Sequence, residues 1–260
     1  MNLMSFQKIF LYFSVILLMN CKFQPVENIS VAGGGVAITF DDDFVDEWYH
    51  VHQILKDYHW RATFFVTNFH QLDSGKIEKL KILKEYGHEI GGHGLNHDYA
   101  NRYVLNHGLT EYLENEIYPM KRIMAENGFN ITSFAYPFGS KNNKIDVALL
   151  NEFKVLRGTT SEELKPFIKR KIEKIRCRSC FPNLIYGIGI DDTYGLDMSY
   201  IKSLLKKAKN KNKVAVFYAH KTVETVDNNY QISYQTLIEI CEYIKDNHMK
   251  FLLMSDLYQK

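Results

Sequence analysis

The sequence predicts an α/β fold whose parallel strands close into a (β/α) barrel, and two features carry that prediction. Short apolar runs of the length of buried strands recur along the whole chain. Between most of them lie longer segments with apolar residues at helical spacing. Strands alternating with helices of that length imply parallel pairing through crossover helices. About eight such units in one chain favour a barrel over an open sheet. The bulk properties agree with one globular domain: 260 residues, 46% hydrophobic, 24% charged, formal net charge +2. They exclude a disordered chain, a collagen-like chain and a membrane bundle. The near balance of charge gives no basic face for nucleic acid.

The first twenty residues stand apart. Lys8 precedes an apolar run from Ile9 to Met19 that only Ser14 interrupts. Such a run is too short to span a bilayer, which takes about twenty residues, and matches the core of a secretory signal. Leu17-Leu18-Met19-Asn20 then leads into Cys21, which resembles a relaxed bacterial lipobox with an unusual asparagine before the cysteine. The expectation is a signal peptide over 1–20, a lipidated Cys21, and a tether over 21–35 that includes Pro25 and Gly33-Gly34-Gly35. The mature protein is then extracytoplasmic and held to a membrane by its lipid. A plain secretory signal with a chance cysteine is the other interpretation.

From residue 36 the alternation begins. Strands are predicted at 36–40, 61–67, 88–91, 132–137, 153–158, 184–190, 213–219 and 250–254. Trp48, Val51, Ile54, Leu55 and Tyr58 give the first helix an apolar face, and Ile77, Leu80 and Leu83 the second, with Gly87 as its stop. Further helices are expected over 111–127, 144–152, 197–209 and 233–247. No linker breaks the pattern, so 36–260 is predicted as a single domain.

In such folds chemistry gathers at the carboxyl ends of strands. Four places there carry polar residues. Asp41-Asp42-Asp43 follows the first strand, where neighbouring side chains face opposite ways, so one carboxylate can bind a metal while the other accepts a proton. An acidic helix start is the plainer explanation. His93 and His97, four apart and set among Gly91, Gly92 and Gly94, can bite one ion together. With ten histidines in the chain, chance alone supplies such a pair about 0.4 times. Phe134-Ala-Tyr-Pro-Phe-Gly139 ends a strand in a sharp turn that can leave backbone N–H groups facing a cavity. A simple strand-to-loop turn explains it equally well. His220 ends a very apolar strand, and fits either a proton-transfer group or a satisfied core histidine.

Taken in order, these places resemble the motifs of the NodB-like polysaccharide deacetylases, carbohydrate esterase family four. Thr39-Phe40-Asp41-Asp42-Asp43 is similar to that family's Thr-Phe-Asp-Asp-Gly, and His93-Gly94-Leu95-Asn96-His97 to its His-Ser/Thr-x-x-His. Phe134 to Gly139 is similar to Phe-Arg-x-Pro-Tyr-Gly, and His220 to the histidine that ends the last motif. The resemblance spans about residues 36 to 255. It implies a distorted (β/α) barrel with a divalent metal on Asp42, His93 and His97. Zinc is the expected ion, with cobalt, nickel and iron as alternatives. It also implies that Asp41 accepts a proton from the attacking water, that the Phe138 backbone N–H supports the oxyanion, and that His220 protonates the departing amine. The implied substrate is an N-acetylated amino sugar in a surface polysaccharide or peptidoglycan. An O-acetyl esterase, or a non-catalytic glycan-binding lipoprotein on a decayed fold, are the alternatives.

Several positions depart from the family pattern. Asp43 stands where a glycine is usual, so a positive φ there would be strained. Gly94 replaces a hydroxyl residue, Phe138 a tyrosine, and Ala135 the arginine that orients the base. Arg157 is the first candidate to supply the missing cation and Arg176 the second. The carboxylate that pairs with His220 is expected to be Asp191 or Asp192. The four cysteines are too few for a disulfide scaffold. Cys177 and Cys180 suit a local disulfide or two free thiols, and Cys241 suits a helix core.

Overall fold

The computed structural model describes residues 29–160 and 181–259. The expected signal peptide, Cys21, Arg176, Cys177 and Cys180 lie outside the described residues. Seven strands close a parallel barrel: β1 (Gly35–Asp42), β2 (Ala62–Val66), β3 (Glu89–Gly92), β4 (Ser133–Ala135), β5 (Val155–Thr159), β6 (Leu184–Gly189) and β7 (Val214–Ala219). Each strand pairs with the next, and β7 returns to β1 with Gly35–Phe40 opposite Val214–Ala219. The seams are unequal. β3 meets β4 through the single registered pair Gly92 and Phe134, and there the barrel is most distorted. Short strands β8 (Lys221–Val223) and β9 (Gln231–Ser233) pair outside it. β10 (Lys250–Phe251) takes the stretch of β1 at Gly35–Val36 that precedes the pairing with β2.

The crossovers are α1 (Val45–Leu55), α2 (Ser74–Glu85), α3 (Ala100–His107), α4 (Leu109–Tyr112), α5 (Tyr118–Glu126), α6 (Asn143–Glu152), α7 (Met198–Asn210) and α8 (Tyr234–Asp246). Asp73, Asn142, Asp197 and Ser233 cap α2, α6, α7 and α8 by accepting from backbone N–H groups three residues on. Each such cap is worth about 1 kcal/mol. Two elements differ from expectation. The helix predicted over 111–127 is broken by a π turn at Leu113–Ile117, and α3 was missed because its eight residues bury only Ala100. Of the expected tether, residues 29–35 are bonded to the barrel: Val31 N–H donates to Asn212 O, and Gly33 N–H to Asn212 Oδ1.

Strand alternation sorts the core into two parts. Val36, Ile38, Phe40, Phe64 and Val66 pack outward against helices together with Trp48, Val51, Leu80 and Leu83. Ala37, Phe65, Ala135, Val155, Ile185 and Val216 point into the barrel, with Met254 and Leu257 closing its lower end. Glu89 helps fill that end, accepting from Thr63 Oγ1, Ser133 Oγ and the Ser255 N–H. Cys241 is buried in α8 as a free thiol, as its apolar neighbours predict.

A buried histidine pair ties α1 to the foot of β3. Ala62 N–H donates to His88 Nδ1 at 3.0 Å, so His88 carries its proton on Nε2 and donates it to His52 Nδ1 at 2.9 Å. Burial pushes His88 down to about 3 and also lowers His52. Both rings are therefore neutral in the fold, whereas in the unfolded chain they protonate near pH 6.5. The stability they permit is complete above that pH and is lost as pH falls from 6.5 towards 3. His88 alone should cost about 2 kcal/mol of unfolding free energy by pH 5. Urea denaturation at pH 7 and pH 5 tests this: the pH slope should be shallower in His88→Gln than in wild type.

Candidate active site

Every polar residue singled out at a strand end lies at one mouth of the barrel, and alternation explains most of the placement. Asp41 belongs to the same face of β1 as Ala37, so it points inward, and it is 3% exposed. Arg157 belongs to the inward face of β5, is fully buried, and donates from Nη2 to Asp41 Oδ2. Its guanidinium carbon lies 4.8 Å from the centre of the Tyr218 ring and 5.7 Å from that of Phe65. Gly187 makes room, since a Cβ there would come within 3.2 Å of the Arg157 side chain. In register, Arg157 stands directly beside Ala135. A guanidinium rooted on β5 thus reaches the carboxylate past the small residue on β4. Asp41 Oδ1 is buried and has no hydrogen-bond partner among the described residues.

Asp42 breaks the alternation. Its φ of 87° turns the chain as the strand ends, so the left-handed residue is Asp42 and not Asp43. This corrects the expectation of strain at Asp43. The turn brings Asp42 Oδ1 to 3.2 Å from His97 Nε2 and 3.6 Å from His93 Nε2. Burial acts to raise the Asp42 carboxyl, but hydrogen bonds from His93 and His97 and the charges of His93 and His220 prevail and hold it well below the usual carboxylate range. His93 and His97 sit on an irregular loop between β3 and α3 rather than on a helix. Two left-handed residues, Gly94 at φ 80° and His97 at φ 60°, fold the loop so that the two Nε2 atoms lie 3.3 Å apart.

This trio fits a divalent metal. Its three ligand atoms lie within 4.8 Å of one another. His93 Nδ1 faces the Ala135 carbonyl at 2.9 Å and must donate to it, so in the neutral ring that a metal would bind, the lone pair is on Nε2, 3.6 Å from Asp42 Oδ1. Two imidazoles and a carboxylate leave an open position on a four-coordinate ion, as a catalytic site requires.

Asp191 follows β6, and His220 follows β7, the strand that pairs with β1. Asp191 is 1% exposed; its Oδ2 accepts from His220 Nδ1 at 2.6 Å and its Oδ1 from the His220 N–H at 3.1 Å. Asp192 lies in the adjoining 3-10 turn, so the carboxylate beside His220 is Asp191. With Nδ1 so engaged, Nε2 is the ring atom left for substrate. Burial works against a charged His220, but the Asp191 hydrogen bond and the charges of Asp41, Asp191 and Asp42 raise its pKa above the ordinary value.

The 134–139 turn holds Phe138 at φ 56°, with turn bonds donated by the Gly139 and Ser140 N–H groups. Its ring centre lies 4.4 Å from that of His97 and stacks on Tyr99 at 3.7 Å. Tyr230 lies across the mouth, 5.2 Å from His220. Sequence reasoning missed Tyr99, Tyr230 and Glu116. The signal for Glu116 was present, as an acid on the apolar stripe of Tyr112, Ile117, Met120 and Met124.

Comparison with known proteins points the same way. The family model "Polysaccharide deacetylase" matches residues 29–156. A Bacillus cereus protein named peptidoglycan-N-acetylglucosamine deacetylase is 40% identical over 89 residues. That match covers 34% of this chain and 38% of the relative, well under half of its length. The catalytic domain of a peptidoglycan N-acetylglucosamine deacetylase from Eubacterium rectale superposes with a TM-score of 0.53 at 18% identity, over 88% of this chain and 93% of that one. A family-four pseudoenzyme from Bacillus anthracis gives 0.56 at 15% identity, over 86% of this chain and 65% of that one. At these identities the likeness is one of fold, and that fold is recorded for both a deacetylase and a pseudoenzyme.

Two outcomes follow from the two carboxylate pairs. Arg157→Met leaves Asp41 buried without its counter-charge and should cost about 3–5 kcal/mol of stability, part of which Asp41→Asn in the same chain should restore. Thermal or urea unfolding of the single and double variants measures this. Asp191→Asn should lower the His220 pKa, seen by NMR titration of its ring protons, because the partner that favours the charged imidazole is gone.

Proposed function

The chain belongs to the NodB-like polysaccharide deacetylases of carbohydrate esterase family four, and from that premise we propose that it is a hydrolase removing N-acetyl groups from amino sugars of a cell-surface polysaccharide or peptidoglycan. The observation that carries the proposal is the meeting of Asp41–Arg157, Asp191–His220 and the Asp42–His93–His97 trio at one barrel mouth. Asp42, His93 and His97 would hold a divalent ion, zinc in the first instance. When bound, such an ion supplies Lewis acidity, acidifying water and polarising an acyl oxygen.

The chain's own groups then divide the proton work. Arg157 holds Asp41 by Oδ2, so Oδ1 is the atom that takes a proton from the attacking water. The Phe138 N–H, on the turn beside His97, donates to the oxyanion that forms at the acetyl carbonyl. His220 Nε2, held protonated through Asp191, gives its proton to the departing amine, which leaves poorly otherwise. The exposed ring of Tyr230, beside His220, offers a surface for pyranose stacking. Leu17 to Cys21 supports attachment of the mature protein to a membrane through lipid on Cys21.

Acetate release from chito-oligosaccharides with added zinc or cobalt tests the proposal. Wild type should release acetate, and Asp41→Asn and His93→Ala should each lose at least about a hundredfold. Asp191→Asn should move the alkaline limb of the rate profile to lower pH, since a general acid is lost as pH rises through its pKa. Release from acetylated xylan alone would reassign the reaction to ester hydrolysis. Glycan and metal binding without acetate release would make the chain a binding protein.

A further inference from the structure

The loop that carries both histidines cannot hold its own shape. It has no regular hydrogen bonds, and its two left-handed residues, one of them a histidine, are conformations that open chain disfavours. Its first half is pinned from the β2 side: His93 N–H donates to Val66 O, Thr67 Oγ1 to Gly94 O, and Asn68 N–H to Leu95 O. Its second half, which carries His97, is pinned from elsewhere. Asn96 N–H donates to Glu116 Oε2 at 3.0 Å and Asn96 Nδ2 to Glu116 Oε1 at 2.5 Å. Both oxygens of one carboxylate therefore grip the residue that precedes His97.

Glu116 is 1% exposed and sits in the π turn at Leu113–Ile117. A π turn inserts an extra residue into the helical path and recurs at functional sites. Here an acid on the apolar stripe reaches the loop from that turn. The loop is shaped to receive it: a Cβ at Gly94 would stand 3.2 Å from Glu116 Oε2, and Gly94 is already at φ 80°. The carboxylate thus takes the space and the bracing role that a hydroxyl residue at position 94 would otherwise fill. The hydrogen bonds to Glu116 come from the loop rather than from a cation among the described residues.

We propose that Glu116 is a positioning residue of the metal centre, fixing His97 through a two-pronged grip on Asn96. The proposal rests on the metal-site assignment made above. It places the geometry of one ligand under the control of a helix that touches neither metal nor substrate.

Cobalt(II) binding to the full chain, read by titration calorimetry and by the visible d–d spectrum, tests it without an activity assay. Glu116→Gln keeps the volume but turns a donor towards donors. It should weaken cobalt affinity about 10–100-fold and alter the d–d bands, with far-UV circular dichroism unchanged. Asn96→Ala removes an exposed side chain, hollows no core, and should shift affinity in the same direction. Combined, the two substitutions should cost no more than the larger single effect, since both break one grip. Wild-type affinity and spectrum in both single variants, or full additivity in the double, would overturn the proposal. Absence of cobalt binding by wild type would overturn the metal-site assignment itself, and the role given to Glu116 with it.

Discussion

The interior of a seven-stranded barrel is narrow, and a charge placed there must be paired or expelled. The Asp41–Arg157 pair meets that constraint, and the rest of the site is arranged around it. Arg157 occupies space opened by Ala135 and Gly187, between the rings of Phe65 and Tyr218. Replacing the pair by apolar residues of like volume would give a core at least as stable, because desolvating two ions offsets most of their attraction. Its retention is better explained by what it leaves behind. One oxygen of Asp41 is occupied, and the other is buried and without a partner among the described residues.

A strand delivers alternate side chains to one face, so it cannot by itself bring two consecutive aspartates to one site. The chain solves this with left-handed residues where strands end. Asp42, His97 and Phe138 all have positive φ, and all three stand at the mouth. Non-glycine residues in that region carry a conformational cost of order 1–3 kcal/mol and persist where surrounding contacts over-determine them. Those contacts are visible: the Glu116 grip beside His97, the Tyr99 stack on Phe138, and the β1–β2 pairing that runs as far as Asp42 opposite Val66.

The period of the sequence and its strand-end residues made most of this legible. All eight predicted strands exist, because runs such as VAITF and KVAVFYA are buried on both faces and carry no competing helical spacing. Arg157 was readable as the substitute for a missing cation, since a buried arginine on a strand needs an anion within reach. What stayed hidden depends on contacts between distant segments. Spacing alone could not choose between Asp191 and Asp192; the choice turns on which side chain follows the inward face of β6. The four-residue separation of the histidine pair suits a helix or a turn equally, and Gly94 and His97 fold it as a loop. The grip of Glu116 on Asn96 joins residues twenty apart and leaves no local pattern beyond one acid out of place on an apolar stripe.

The mouth also shows how one residue type can serve opposite ends of a reaction. Asp41 and Asp191 are both nearly inaccessible aspartates at the ends of inward-facing strand positions. Asp41 lies against a guanidinium that occupies its Oδ2, and in the proposed hydrolysis its free Oδ1 receives a proton. Asp191 lies against an imidazole, and its charge raises the affinity of that ring for a proton, so His220 is the group that gives one away. Partner identity, set by which residue the neighbouring strand turns inward, decides acid from base. In the proposed hydrolysis the attacking and departing groups thus stand at the ends of neighbouring strands, β1 and β7, and the acetyl group would lie between them. The trio of Asp42, His93 and His97 lies on the Asp41 side, with His93 Nε2 only 4.0 Å from Asp41 Oδ2, so the water and the base belong to the same wall. In the proposed hydrolysis the sugar's nitrogen would then face His220, with its pyranose beside the exposed ring of Tyr230.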